Sequence, residues 1–229
     1  MDLHGRQQLL LGATECGLHL SEHQLDQFSK FLDRLYEVNL SLNLTRIPIE
    51  NAVSLHLLDS LLIARATTLS DGQHLIDIGT GAGFPGVPLA IAMPGVHFTL
   101  VDATAKRLKF IADSADALGI NNITLVHGRA EDLAKTGMRN SANVVTARAV
   151  ARLDKLATWM LPFACDGGVA IAYKSEDAEE EIRKAMTVIE KYGASAVHVV
   201  QVAIPGDAIR RRLVVMTKPL KPHNLRSLR

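Results

Sequence analysis

Residues Asp77 to Gly86 read DIGTGAGFPG, with four glycines and one proline in ten positions. They follow directly on the apolar pair Leu75-Ile76. Glycine beside a strand costs stability, so its concentration there points to a backbone that turns sharply or is approached closely by a ligand. About twenty residues further on, the run HFTLVD ends in Asp102. A carboxylate at that distance from a glycine turn can accept hydrogen bonds from both hydroxyls of a ribose, which makes the pair a nucleoside-binding pattern. Two more apolar runs end in chemistry-bearing residues. ITLVHG leads into Arg129-Ala130-Glu131-Asp132, and NVVTA leads into Arg148. The amide and acid at 130 and 131 can bracket an adenine, although acids at a helix start are also common. Arg148 stands where the reactive end of a ligand would meet a substrate, or else forms a salt bridge to Asp77 or Glu131.

Gly81 to Gly86 formally satisfies G-x-G-x-x-G, the dinucleotide fingerprint. Asp77 speaks against a pyrophosphate, because a carboxylate just before the loop repels phosphate and suits a cationic amino group. Phe84 and Pro85 occupy positions where small residues would let phosphate reach the helix end. A ligand with an ammonium, a sulfonium and an adenosine fits better, and S-adenosylmethionine is that ligand.

The elements that must position these residues change character near Ser70-Asp71-Gly72. Before it, the chain reads as helical. Leu25, Phe28, Phe31, Leu32, Leu35 and Tyr36 keep a spacing of three to four between Gln24 and Val38. Ser21 with Gln24 resembles a capping box. Asn39 to Thr45 breaks the pattern, and Pro48 suits the first turn of a second helix through Leu61. After residue 70, short apolar runs alternate with amphipathic segments. Strands are expected near 74–78, 97–101, 123–127, 143–146, 168–173, 196–203 and 212–217, and helices at 86–93, 105–118, 152–161 and 177–191. Such alternation predicts an α/β fold with a seven-stranded, mostly parallel sheet, closed by an antiparallel hairpin from the last two strands. The expected division is a helical region over 1–70, a main domain over 71–218 and a basic C-terminal tail over 219–229.

With 229 residues, 48% hydrophobic and 21% charged, the chain can build one full core without disulfides or metal. Its two cysteines, Cys16 and Cys165, suggest no disulfide framework. No long apolar run predicts a membrane span, and the N-terminus lacks signal-peptide character. A cytoplasmic location is expected. His19 and His23 have a spacing that could hold zinc on a helix, but no further ligands stand nearby, so no metal is expected.

The blocks DIGTGAGFPGVPLAIAMPG, DATAKRLKF, HGRAED, TARAVARL and LPFACDGGVAIAYK resemble, in order, the RsmG (older name GidB) family. NLSLNLT and HLLDSLL are similar to that family's N-terminal blocks. The resemblance spans roughly residues 30 to 217. It implies a Rossmann-like class I methyltransferase fold with an N-terminal helical extension. It also implies S-adenosylmethionine as cofactor, and methyl transfer to N7 of one guanine of 16S ribosomal RNA near the decoding site. Partners would be that RNA or the small ribosomal subunit. The cofactor-binding positions carried over are Gly79, Phe84, Asp102, Ala103, Thr104, Ala130, Glu131 and Arg148. The family pattern has Asp-Ser where this chain has Asp102-Ala103, and Lys-Gly where it has Lys174-Ser175.

Guanine N7 carries an in-plane lone pair and no proton, so in-line transfer from a sulfonium needs positioning and exclusion of water rather than a general base. No catalytic acid or base is therefore assigned. Substrate contacts are expected from Lys106, Arg107, Lys174 and Arg210 to Arg212, since arginine can read N7 and O6 of guanine and cations neutralise phosphate. Two other readings stand beside this one: an NAD-dependent oxidoreductase built on Gly81 to Gly86, and a non-catalytic RNA-binding protein of ribosome assembly.

Overall fold

The computed structural model describes residues 1–221. The basic tail expected over 219–229 therefore lies, from residue 222 on, outside the described residues.

Helix α1 spans Leu3–Glu15 and α2 spans Glu22–Leu42. The predicted capping box is present: Ser21 Oγ accepts from Gln24 N, and the Gln24 side chain accepts from Ser21 N. Leu25, Phe28, Phe31, Leu32 and Leu35 form the buried face. Each such side chain contributes about 1.5–3 kcal/mol when fully buried. The helix runs past Asn39, where the sequence pattern suggested a break, and ends at Asn43 in left-handed conformation. Asn39 instead ties down the returning chain. Its amide oxygen accepts from Thr45 N at 2.8 Å and its amide nitrogen donates to Thr45 O at 3.1 Å.

The helix expected after Pro48 is irregular. A 3₁₀ turn at Ile49–Asn51 passes into a π-helical stretch at Val53–Leu58, one α-turn at Asp59–Leu61 (α3) and a second 3₁₀ turn at Leu62–Arg65. Backbone groups that such irregularity leaves without regular partners must be satisfied elsewhere. Ser60 Oγ donates to His56 O, Tyr173 Oη donates to Ser60 O, Ile63 N donates to Tyr173 Oη, and Arg148 donates to Leu55 O.

Seven strands follow: β1 His74–Ile78, β2 His97–Asp102, β3 Ile123–His127, β4 Ala142–Arg148, β5 Ala164–Ser175, β6 Ala196–Ala203 and β7 Arg210–Thr217. Their order is β3-β2-β1-β4-β5-β7-β6, with β7 antiparallel to both neighbours and all other pairings parallel. The expected sheet and terminal hairpin are present. Helices α4 Gly86–Ala92, α5 Ala105–Leu118, α6 Ala130–Leu133, α7 Leu153–Met160 and α8 Glu179–Lys191 cover it.

Alternation along the strands divides the core in two. Leu75, Leu100, Val144, Leu213 and Val215 face the N-terminal helices, α4 and α5. Ile76, Val101, Val145, Val214 and Met216 face α7 and α8. A strand covered on both faces needs apolar residues at every position, which explains the unbroken runs. The chain order reverses between β1 and β4, and at such a switch point a crevice opens beyond the carboxyl ends of the strands. Among the described residues no helix is long and apolar enough to cross a membrane, and no cluster of metal-ligating side chains occurs.

Candidate active site at the switch point

Two adjoining cavities lie at this crevice. The larger, about 1070 Å³, is lined by Gly79, Gly81, Phe84, Asp102, Ala103, Thr104 and Arg148 on the sheet side. The smaller, about 130 Å³, is lined by Ala130, Glu131, Val101 and Trp159. Gly79, Asp102, Ala103 and Val150 border both. All eight positions carried over from the family thus surround one continuous site.

The glycine loop is built as its composition required. Gly79 and Gly81 have φ of +71° and +60°, a region that side chains other than glycine adopt at a cost. A Cβ on Gly79 would lie 2.9 Å from the Val150 side chain. A Cβ on Gly81 would meet nothing closer than 4.0 Å, so its absence leaves the loop surface open to the cleft. Asp102 anchors the loop: Oδ2 accepts from Gly81 N at 2.9 Å and Oδ1 from Thr104 N at 2.8 Å. Arg107 approaches Oδ2 at 3.6 Å. An ionised carboxylate offers about four acceptor positions, so lone pairs remain for a ligand.

Asp77 behaves differently from the expectation that it holds a cationic amino group. Its side chain is wholly buried beneath the loop, and Oδ2 accepts from Gly86 N at 3.0 Å. Oδ1 has no partner among the described residues, and neither does the nearby buried Thr80 hydroxyl. Burial pushes the Asp77 carboxyl up to about 6, outweighing the lowering by the neighbouring Thr80 hydroxyl and the Gly86 amide. The consequence bears on the dinucleotide reading. The first amide of α4 is already taken by an internal carboxylate, so the helix end offers a pyrophosphate neither that amide nor an uncompensated positive dipole.

The opposite wall comes from the N-terminal region. Thr45, Arg46, His56 and Asp59 line the larger cavity. His56 stacks on Phe84 with ring centroids 4.2 Å apart, and its Nε2 lies 2.8 Å from Thr45 Oγ1. Burial, with Arg148 nearby, pushes His56 down to about 3. Arg148 lies 5.3 Å from the centroid of Phe84 and pairs with Asp59 at 2.9 Å, not with Asp77 or Glu131. Arg211 pairs with the same Asp59 at 2.8 Å. His56 and Asp59 stand in HLLDSLL and Thr45 in NLSLNLT. Those blocks marked the residues, but their spacing did not show that they face the strand ends.

Several expected substrate contacts have other work. Lys174 donates to Glu181 at 2.7 Å and to Ala151 O at 2.8 Å, and Glu181 also accepts from Leu153 N. Arg212 pairs with Glu179 at 2.9 Å. Arg46 and Lys106 are exposed and make no ion pair among the described residues.

The comparison with known proteins agrees with this architecture. A Ribosomal RNA small subunit methyltransferase G of Lachnoclostridium phytofermentans is 38% identical over 209 residues, covering 90% of this chain and 86% of the relative. One from Lactobacillus delbrueckii subsp. bulgaricus is 41% identical over 203 residues, covering 87% and 85%. In fold, the chain is similar to a SAM dependent methyltransferase from Aquifex aeolicus, with a TM-score of 0.53, 16% identity and coverage of 73% and 92%. The model of the GidB family, rRNA small subunit methyltransferase G, matches residues 24–214, and the chain belongs to that family.

Proposed function

We propose that the chain transfers the methyl group of S-adenosylmethionine to N7 of one guanine in 16S ribosomal RNA, near the decoding site. The observation that carries this reading is the pair of adjoining cavities, with Gly79 and Asp102 on the border of both. Such a site suits a ligand with a nucleoside at one end and a reactive group at the other. At about 1070 Å³ the larger cavity slightly exceeds the roughly 300–1,000 Å³ of ordinary small-molecule pockets, which leaves room for part of a substrate beside the cofactor.

When bound, S-adenosylmethionine supplies an electrophilic methyl group on a sulfonium. The remaining acceptor positions of Asp102 would take the ribose hydroxyls, and the open surface at Gly81 would admit the amino-acid portion. Ala130 and Glu131, which line the smaller cavity, would border the adenine. Phe84 and Arg148 stand where the acceptor base enters. N7 has no proton to lose, so the chain's task is to orient the base and exclude water. His56, held neutral by its low pKa, is a packing group rather than a proton carrier. In this scheme residues 71–218 hold the cofactor, and the 1–70 region closes one side of the cleft.

The test is incubation of the purified chain with radiolabelled cofactor and small subunits from cells lacking the modification. Label at a guanine N7 of 16S ribosomal RNA is expected. Cofactor binding without label in any ribosomal RNA would favour the non-catalytic assembly reading, and thermal stabilisation by NAD alone would favour the oxidoreductase.

A further inference from the structure

Asp59 stands at the meeting point of three segments distant in sequence. It begins α3, and its carboxylate is almost entirely buried, with 3% exposure. Oδ2 accepts from Arg148 Nη1 at 2.9 Å, at the end of β4. Oδ1 accepts from Arg211 Nε at 2.8 Å, near the start of β7. All three residues line the larger cavity. Two guanidinium groups sharing one carboxylate leave a net positive charge at the cleft, and without Asp59 they would repel each other.

The Arg148 guanidinium is held from two directions. Besides Asp59, Nη1 donates to Leu55 O at 3.2 Å, within the π-helical stretch that precedes α3. Its plane then lies near the Phe84 ring, 5.3 Å from the centroid. A long arginine side chain carries considerable rotamer freedom, and fixing it before substrate arrives removes that cost from binding and reaction.

We propose that Asp59 is a positioning residue for methyl transfer: it fixes Arg148 and Arg211 as one unit facing the acceptor base, and so couples the N-terminal region to the strand-end site. This rests on the methyl-transfer reading given above. It makes a distinction that simple electrostatics does not. Neutralising Asp59 raises the positive charge facing the RNA, so RNA affinity should hold or tighten. Turnover should nevertheless fall, because the guanidinium groups lose their fixed direction.

The experiment is steady-state methylation of small subunits by the full chain and by Asp59→Asn, with cofactor affinity by calorimetry and folding by thermal melting. For Asp59→Asn, kcat is expected to fall roughly tenfold to hundredfold, the scale of a misplaced reacting geometry. KM for the RNA substrate should not rise, and cofactor affinity should stay within about twofold of wild type. In a cycle with Arg211→Gln, the two losses in kcat should not add, because both variants break the same unit. A melting temperature that drops while kcat per folded molecule stays within about twofold of wild type overturns the role, leaving Asp59 as a structural ion pair. A kcat loss in Asp59→Asn that adds fully to that of Arg211→Gln overturns it too. A wild-type chain that transfers no methyl group removes the function itself, and the positioning role with it.

Discussion

His56 and Phe84 lie face to face, with ring centroids 4.2 Å apart and planes inclined by 13°. One comes from the π-helical stretch of the N-terminal region and the other from the loop after β1. Their stack joins the two walls of the cleft. A parallel stack of this kind is worth about 0.5–1.5 kcal/mol beyond the area it buries.

The stack has a pH signature. Unfolded, His56 titrates near 6.5, whereas in the fold burial takes it to about 3. Between those values the unfolded state binds the extra proton, so stability is fully present above pH ~6.5 and declines as pH falls. Near pH 5 the loss is about 2 kcal/mol. Asp77 acts in the opposite sense. Its folded value of about 6 exceeds the ordinary 3.8, so its contribution is present at low pH and falls as pH rises through that window. Since Asp77 is common to both proteins, the stability of His56→Phe relative to wild type, read from urea midpoints, should increase by about 2 kcal/mol as pH falls from about 7.5 to about 5. Equal slopes would mean that the imidazole is not buried in its neutral form.

Asp102 is expected to serve both the loop and the ligand. Asp102→Asn places an amide NH₂ against either Gly81 N or Thr104 N, each of which now donates to a carboxylate oxygen. A stability loss of about 1–3 kcal/mol should result. Affinity for S-adenosylmethionine should weaken by roughly tenfold or more as a charge-assisted acceptor is lost. Calorimetry on the folded variant reads the second effect, and unchanged affinity would remove Asp102 from the cofactor site.

Arg148→Ala should separate activity from folding. Asp59 keeps Arg211 as a partner after the change, so the buried carboxylate is not left bare. The stability cost should stay near about 1–2 kcal/mol. Methylation should fall by roughly tenfold or more, because a fixed donor beside the acceptor base is gone. Wild-type turnover with the variant would show that Arg148 only supports the fold.

Salt dependence should distinguish the cations. Arg46 lies exposed at the cleft, so Arg46→Ala should reduce the slope of log affinity for RNA against log salt by about one. Lys174 is held by Glu181 and Ala151, so Lys174→Ala should lower the melting temperature and leave the slope unchanged. The reverse pattern, measured by filter binding over a salt series, would place the phosphate contact at Lys174.

Much of this protein could be read from local pattern. The strand–helix alternation, the α2 stripe with its Ser21–Gln24 cap, the glycine loop and Asp102 depend on backbone propensity and short-range spacing. Those forces act within a few residues and leave their mark directly in the sequence. The irregular path from Val53 to Arg65 was not legible, because its freed backbone groups at Leu55, Ser60 and Ile63 are satisfied by Arg148 and Tyr173, which stand on β4 and β5 far along the chain.

The sequence by itself determined that a glycine turn and a carboxylate flank the ends of neighbouring parallel strands, since local geometry admits few other residues there. Only the tertiary structure decided that Asp77 is sealed under the loop while Asp59 reaches across to Arg148 and Arg211, partners 89 and 152 residues away. Packing brings those charges together, and a buried charge takes whichever partner the fold supplies, however far along the chain it lies.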